Sequence, residues 1–185
     1  MVTDKPLLRK IYLNLRDELP AVERAERSAA ICSRIAELPC FTQAKALFIY
    51  MPMGSEVDVT GCAAAARERG ILVGLPRVFP KRVLRFYPWE PGIALEKSAF
   101  GVWEPPIGKE LRCGENTLVI VPGLVFGRNL YRIGYGGGYY DRFLAGNSYL
   151  AAVGAAFGAQ VTDSLEPESY DQPLTGLVTE HDTIG

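Results

Sequence analysis

The sequence predicts a three-layer α/β/α fold with a mostly parallel, open, Rossmann-like sheet and an N-terminal helical arm. Short continuous apolar runs, such as residues 46–51, are typical of strands that are covered on both faces. These runs alternate with segments of helical spacing, the pattern of α/β proteins. The chain has 185 residues, 48% of them hydrophobic and 22% charged, so we expect residues 1–185 to form one folded domain.

The arm consists of two predicted helices. Pro6 suits the first turn of a helix over residues 6–18, and Asp4 can cap it. A second helical pattern covers residues 22–35 and ends before Pro39. The first helix carries a stripe of apolar residues at helical spacing: Leu7, Leu8, Ile11, Leu15 and Leu19.

The strands begin at residue 46. After the run 46–51, Asp58 can cap a helix that continues to Arg69, and residues 71–75 form the next strand, which completes a β-α-β unit. Ligands of such folds bind at the carboxyl ends of the strands, where we expect the functional residues. The remaining predicted elements are strands at 83–89, 118–121, 151–157 and 174–179 and a short helix at 139–144.

Composition and charge exclude several classes of function. The 20 basic and 21 acidic side chains nearly balance, which argues against a nucleic-acid-binding protein. The sequence has no apolar stretch of about 20 residues for a membrane span and no secretory signal, so we expect a cytoplasmic protein. The four cysteines lack C-x-x-C spacing and are expected to be free thiols. A lone histidine, His181, argues against a Ser-His-Asp unit or a zinc hydrolase.

The segment that stands out is residues 131–142, Tyr-Arg-Ile-Gly-Tyr-Gly-Gly-Gly-Tyr-Tyr-Asp-Arg, which we name the glycine-tyrosine loop. Its glycines allow close approach of the backbone to a ligand, and successive amides at a helix start can bind an anion. Arg132 can neutralise phosphate charge, and Asp141 can hold Mg²⁺. The alternative is a flexible turn with surface tyrosines, since the segment is neither a Walker A motif nor a Rossmann fingerprint.

Residues 132–143 resemble the R-x-G-Y-G-G-G-Y-Y-D-R-F motif of the 5-formyltetrahydrofolate cyclo-ligase family. The Lys5-x-x-x-Arg9 pair resembles the family's N-terminal K-x-x-x-R, and residues 56–58 resemble its E-V-D. The resemblance covers most of the chain, because four further segments follow in the family's order: 75–77, 86–87, 101–105 and 121–126.

The resemblance implies that ATP and Mg²⁺ drive the cyclisation of 5-formyltetrahydrofolate to 5,10-methenyltetrahydrofolate, with release of ADP and phosphate. The formyl oxygen would be phosphorylated, and N10 of the folate would then attack the activated carbon. Lys5 and Arg132 are the implied catalytic residues, and Asp141 and Asp171 the implied magnesium ligands. The implied ATP contacts are Lys5, Arg9, Arg132, Gly134, Tyr135, Gly136, Gly137, Gly138, Tyr139 and Tyr140. The implied folate contacts are Met51, Glu56, Tyr135, Gly136, Gly137, Gly138 and Tyr139.

Three positions depart from the family's usual residues. Gly127 stands where the family usually has Asp, Leu130 where Gly is common, and Tyr170 where His commonly precedes the second metal-site Asp. Gly127 and Tyr170 motivate one alternative, a non-catalytic regulator that binds folate or nucleotide. A small-molecule kinase that uses the same phosphate loop is the other.

The residue types agree with the implied chemistry, because both nucleophiles belong to the substrates and no Ser-His pair is needed. The protein must align two ligands and neutralise phosphate charge. Phe86, Trp103 and Tyr135 are candidates for an apolar wall around the pterin ring, or are simply core residues. We expect a monomer with small-molecule partners only, ATP and the folate.

Overall fold

The computed structural model describes residues 4–185, which form a layered α/β protein. Within these residues the α-helices number five: α1 Lys5–Asp17, α2 Ala21–Glu37, α3 Pro39–Gln43, α4 Gly61–Glu68 and α5 Tyr139–Ala145. The first six strands are β1 Ala46–Phe48, β2 Leu72–Phe79, β3 Val83–Pro88, β4 Glu96–Lys97, β5 Trp103–Glu104 and β6 Thr117–Val121. The others are β7 Val125–Gly127, β8 Arg132–Ile133, β9 Ala151–Ala155, β10 Val161–Thr162, β11 Gly176–Val178 and β12 Thr183–Ile184.

The main sheet has seven strands in the order β12-β11-β9-β6-β1-β2-β3. The five central strands run parallel, and the edge strands β3 and β12 are antiparallel to their neighbours. From β1 the chain proceeds to β2 on one side and later to β6 on the other. The strand order therefore reverses between β1 and β6, and an open α/β sheet leaves a crevice at such a point.

Apolar side chains cover both faces of this sheet, which confirms the predicted α/β class. Successive residues of a strand point to opposite faces. Leu47 packs with α2 and α4 on one face, while Phe48 packs with Phe86 and α5 on the other. The rings of Phe48 and Phe86 are stacked with their centroids 4.2 Å apart. All five residues of β6 are buried, as expected for a strand with two covered faces.

Helix α1 forms where it was predicted, but much of its apolar stripe remains exposed. Leu7, Ile11 and Leu15 are between 41% and 52% exposed. The helix packs near the small sheet β10-β7-β8 through Leu8 of the stripe together with Tyr12 and Leu13. This orientation turns the basic side of α1 toward the crevice.

Several boundaries differ from the predictions. The helix predicted from Asp58 begins at Gly61, because the Asp58 carboxylate accepts hydrogen bonds from the amide and hydroxyl of Thr60 and forms a turn first. The strand predicted over 71–75 continues as β2 to Phe79 and forms a hairpin with β3. The first strand is shorter than predicted and ends at Phe48.

Other expectations from the sequence can be compared directly with the structure. The four cysteines are free thiols, as predicted. Among residues 4–185, no helix has both the length and the hydrophobicity required to traverse a lipid bilayer.

Candidate active site

A cleft of about 520 Å³ opens where the strand order reverses. Met51 and Glu56 reach it from the segment after β1, and Pro122 from the end of β6. Val78 and Leu84, which pair across the β2–β3 hairpin, form part of its wall. The carboxyl ends of two central parallel strands thus position the cleft.

The structure brings all of the site residues predicted from the sequence to this one cleft. Met51 and Glu56 line it opposite the glycine-tyrosine loop, and α1 reaches it at the rim. The predicted residues that line it are Lys5, Arg9, Met51, Glu56, Arg132, Gly134, Tyr135, Gly136, Gly137, Gly138, Tyr139, Tyr140, Asp141 and Asp171.

Two arginines from distant parts of the chain lie beside the glycine-tyrosine loop. Gly136 and Gly138 have φ angles of +95° and +66°, in the left-handed region that favours glycine. The Arg9 guanidinium lies 3.6 Å from the position that a Cβ of Gly136 would occupy, and Arg82 Nη1 lies 3.8 Å from that of Gly138. A side chain at either glycine would strain the backbone, and its Cβ would be in ordinary van der Waals contact with an arginine.

Helix α1 places two cations at the rim of the cleft. Lys5 Nζ donates to Asp171 Oδ2 at 2.8 Å and to Glu168 Oε2 at 2.6 Å. Burial lowers the pKa of Lys5, but the hydrogen bonds to these carboxylates outweigh it, and the pKa is raised overall. Arg9 Nε donates to the carbonyl oxygen of Gly134 at 2.8 Å. The arm is therefore fastened both to the glycine-tyrosine loop and to the segment that carries Glu168 and Asp171.

Arg16, one further residue of α1, was missed by sequence reasoning. It is 1% exposed, and its Nη2 donates to the Tyr135 hydroxyl at 2.7 Å. Its Nε donates to Ser55 Oγ at 2.9 Å, and the Ser55 hydroxyl donates in turn to the Asp17 carboxylate. Arg16 thereby ties the glycine-tyrosine loop to the segment that carries Glu56. Nothing in the helical pattern distinguished it from a surface charge.

Glu56 is a buried carboxylate that faces this network. Burial raises its pKa, while the Met53 amide, the charge of Arg16 and the hydroxyl of Tyr135 act in the opposite direction. The Met53 amide donates to Glu56 Oε2 at 2.9 Å. Burial also raises the pKa of Tyr135, and the neighbouring Glu56 carboxylate raises it further. Glu56, itself largely shielded from water, can therefore accept hydrogen bonds from N–H donors of a ligand in the cleft.

Arg132 and Asp141 form an ion pair at the base of the loop. Arg132 Nη1 donates to Asp141 Oδ1 at 3.0 Å, and the same oxygen accepts the amide of Gln172 at 3.1 Å. Arg132 Nε and the Tyr140 hydroxyl are buried without a hydrogen-bond partner among the described residues. Burial strongly raises the pKa of Tyr140, which keeps its hydroxyl a donor. Unpaired buried donors cost about 1–3 kcal/mol each, which a ligand with acceptor oxygens would recover.

The three aromatic candidates for a wall around the pterin ring lie in different parts of the structure. Tyr135 lines the cleft. Phe86 is a core residue stacked on Phe48, and Trp103 lies on β5 with Lys97 Nζ 5.7 Å from its ring centroid. The interpretation as a core residue was therefore right for Phe86.

The comparison with known proteins agrees with this geometry. Residues 1–180 match the 5-formyltetrahydrofolate cyclo-ligase family. The chain belongs to this family. The cyclo-ligase relatives include a 5-formyltetrahydrofolate cyclo-ligase from Haemophilus influenzae, 27% identical over 89% of this chain and 91% of its own length. A cyclo-ligase from Mycolicibacterium smegmatis is 28% identical, with 95% and 93% covered.

Two solved structures resemble the protein. The NMR structure of Aquifex aeolicus 5,10-methenyltetrahydrofolate synthetase is 33% identical with a TM-score of 0.85, and covers 97% of this chain and 91% of its own. A 5,10-methenyltetrahydrofolate synthetase from Mycoplasma pneumoniae has a TM-score of 0.78 at 23% identity, over 96% of this chain and 99% of its own. The second likeness concerns the fold alone.

The structure accommodates two of the departures from the cyclo-ligase motif within one turn. A Cβ at Gly127 would lie 2.2 Å from Asn129 Oδ1, so the Asn129 side chain occupies that space. Asn129 exchanges hydrogen bonds with the backbone of Leu165 at 2.8 and 3.1 Å. Leu130 adopts a φ of +67°, the conformation that a glycine would adopt readily. The turn that leads into β8 is therefore formed without the usual residues.

Tyr170, the third departure, lies at the rim of the cleft. Its hydroxyl donates to the Glu168 carboxylate, and Lys5 Nζ lies 5.7 Å from its ring centroid. Tyr170 thus supports the cluster around Lys5. Among residues 4–185, no group of three or more His, Cys, Asp or Glu side chains is arranged to hold a metal.

Proposed function

We propose that the protein catalyses the ATP- and Mg²⁺-dependent cyclisation of 5-formyltetrahydrofolate to 5,10-methenyltetrahydrofolate, with release of ADP and phosphate. One observation carries the proposal: the residues implied to contact ATP and those implied to contact the folate line the same cleft. The named relatives support the same reaction. Residues of one chain line the cleft, so we propose that the enzyme acts as a monomer. We also propose that it is cytoplasmic.

The reaction needs alignment more than protein nucleophiles. A formamide oxygen is a poor leaving group, and transfer of the γ-phosphoryl group of ATP to it creates a phosphate leaving group. N10 of the folate then attacks the activated carbon, the C–O bond breaks, and phosphate departs. The protein contributes by holding the two ligands in reach of each other and by stabilising charge on the phosphoryl group.

Arg132 and Lys5 are the proposed catalytic residues. Arg132 is buried at the base of the loop, and its unpartnered Nε can donate to the phosphoryl group during transfer. Lys5 is cationic, because its carboxylate partners raise its pKa overall. Arg9 and the backbone of residues 134–138 would bind the remaining phosphates, since each offers donors at the cleft.

Glu56 is the proposed anchor for the pterin ring. A buried carboxylate is selective for N–H donors, since leaving it unpaired is costly. Met51 follows β1, as Glu56 does, and lines the cleft. Its flexible thioether can pack there against a flat ring. Tyr135, which contacts the Glu56 network through Arg16, would border both ligands.

Asp141 and Asp171 are suitable for holding Mg²⁺ beside the phosphates. Each carboxylate has one oxygen engaged, Asp141 Oδ1 with Arg132 and Asp171 Oδ2 with Lys5. Within residues 4–185 the other oxygen of each accepts no hydrogen bond. Mg²⁺ is usually bound by one or two carboxylates, water and substrate phosphates, so the residues fit the ion. When bound, the ion would neutralise charge on the ATP phosphates.

A turnover assay tests the proposal. The protein is mixed with MgATP and 5-formyltetrahydrofolate, and the near-ultraviolet absorbance of the methenyl product is followed together with ADP release. We expect product only when ATP is present. Product without ATP, or none with it, would contradict the proposal. Binding of both ligands without turnover would point to a regulator, and phosphate transfer to another acceptor would point to a kinase.

A further inference from the structure

The tip of the β2–β3 hairpin stands at the rim of the cleft. The last pair of the hairpin is Phe79 with Val83, so the tip consists of residues 80–82. The preceding pair, Val78 and Leu84, lines the cleft directly. The tip is therefore carried on a wall of the site, and its position depends on the rigid pairing of the hairpin beneath it.

The backbone of this tip is unusual for the residues it carries. Lys81 and Arg82 have φ angles of +63° and +61°. Two-residue runs of positive φ in hairpins normally carry Gly, Asn or Asp, because longer side chains are strained there. Strain of this kind concentrates at binding and catalytic sites. The hairpin thus carries two long cations where small residues would be favoured.

Arg82 is directed at the glycine-tyrosine loop, and its charge is not compensated within the part of the chain that the structure describes. Its Nη1 is 3.8 Å from the position that a Cβ of Gly138 would occupy. The Arg82 side chain makes no ion pair, hydrogen bond or ring contact with any of residues 4–185. By contrast, Lys5 and Arg132 at the same cleft each have a carboxylate partner.

We propose that Arg82 is a phosphate-binding residue, which the hairpin tip presents to the triphosphate of ATP across Gly138. The inference rests on the proposed function for the location of ATP. A guanidinium forms strong charge-assisted hydrogen bonds with phosphate oxygens, and the lack of a carboxylate partner among residues 4–185 leaves its donors available. The left-handed turn fixes the direction in which the side chain leaves the hairpin.

Isothermal titration calorimetry with MgATP and, separately, with 5-formyltetrahydrofolate tests this role. We expect Arg82→Ala to weaken ATP binding by roughly tenfold or more and to leave folate binding within about twofold. Lys81→Ala is the matched control, because it removes the same charge from the same left-handed turn. It should change ATP binding by less than about threefold, the effect of distant charge screened by salt.

Arg82→Gly separates binding from folding. Glycine relieves the strain of the positive φ angle, so this variant should melt at the same temperature as the wild type or higher while losing the same affinity for ATP. Unchanged ATP binding in both Arg82 variants would overturn the proposal. So would equal losses in Arg82→Ala and Lys81→Ala, or loss of folate binding alone, which would assign Arg82 to the folate's carboxylates. A wild-type protein that binds no ATP would instead overturn the proposed function itself.

Discussion

Helix α1 and the β2–β3 hairpin both approach the glycine-tyrosine loop, and each places an arginine beside it in a different way. Arg16 of α1 is buried, and its Nε and Nη2 donate to Ser55 and Tyr135, while its Nη1 has no hydrogen-bond partner among residues 4–185. Arg82 of the hairpin is exposed and contacts no partner within the described residues. An arginine engaged by the protein shapes the loop, whereas one without protein partners has its donors available for a ligand. The two should therefore fail in different ways when they are removed.

Arg132, unlike Arg16, lines the cleft itself, and its removal should have the largest effect. One of its nitrogens is engaged by Asp141, and another is buried without a partner among residues 4–185. We expect Arg132→Ala to lower kcat by about 10²–10³-fold, the usual loss for a donor that stabilises transition-state charge. The dissociation constant of 5-formyltetrahydrofolate, measured by calorimetry, should change by less than about threefold, within the effect of lost long-range charge.

Arg128→Ala is the control for this prediction. Arg128 is exposed and pairs with Asp182 at 3.3 Å, away from the cleft. Its removal should leave kcat unchanged. Equal losses of turnover and folate affinity in Arg132→Ala would show that Arg132 supports the whole cleft rather than the phosphoryl group.

Arg16→Met should destabilise the protein more than it alters ligand contacts. The change leaves the Tyr135 hydroxyl and the buried Ser55 without their donor, so the free energy of unfolding should fall by about 2–4 kcal/mol. Urea denaturation measures this loss. Lys10→Met, on the exposed side of the same helix, should change it by less than about 0.5 kcal/mol. If Arg16→Met lowers the free energy of unfolding no more than the control does, Arg16 does not stabilise the protein, and the contrast between the arginines of α1 and of the hairpin is wrong.

Asp141→Asn tests the proposed magnesium site in the glycine-tyrosine loop. Asparagine can still accept from the Gln172 amide, but it offers Mg²⁺ a neutral oxygen. We expect the Mg²⁺ concentration for half-maximal turnover to rise by about tenfold, and chelation of Mg²⁺ to abolish turnover in the wild type. Asp163→Asn, away from the cleft, is the control. An unchanged Mg²⁺ requirement in Asp141→Asn would remove this carboxylate from the proposed metal site.

Glu56→Gln should give the smallest and most distinctive effect on stability. Because burial raises the pKa of Glu56, the folded protein binds this proton more tightly than the unfolded chain does. Ionised Glu56 is therefore destabilising at neutral pH, and the variant should melt at a slightly higher temperature than the wild type there. The difference should vanish as the pH falls through the raised pKa to below the ordinary value of a glutamate, where both side chains are neutral.

The same variant should lose folate affinity, by roughly tenfold, because a carboxylate that accepts N–H donors is replaced by a neutral amide. Thermal melts between acid and neutral pH and folate calorimetry together measure the two effects. If the variant is less stable than the wild type at neutral pH, the ionised Glu56 carboxylate stabilises the fold. The hydrogen bonds and the charge of Arg16 would then outweigh burial in setting the pKa of Glu56.

The main sheet could be predicted from the sequence, because its central strands are continuous apolar runs that only a doubly covered strand carries. The small sheet could not, since β7, β8 and β10 have two or three residues each, too few for a period to be recognised. The edge strand β12 was missed for the same reason.

The candidate site, like the fold, could be predicted only in part. The glycine-tyrosine loop carries its own motif and was found from it. Arg16 and Arg82 were not found, because the burial of one and the direction of the other depend on how α1 and the hairpin pack against the loop. A local sequence pattern holds no information on contacts between residues that are distant in sequence. Even a clear motif therefore does not reveal which distant residues pack against it.

A crystal structure with a non-hydrolysable ATP analogue, Mg²⁺ and 5-formyltetrahydrofolate tests the central claim most directly. We predict that the triphosphate lies within hydrogen-bond distance of the backbone of residues 134–138 and of Arg132, with the formyl group of the folate beside the γ-phosphate. The claim would be contradicted by a nucleotide bound elsewhere, such as in the smaller depression formed by Arg27, Arg128 and Glu180.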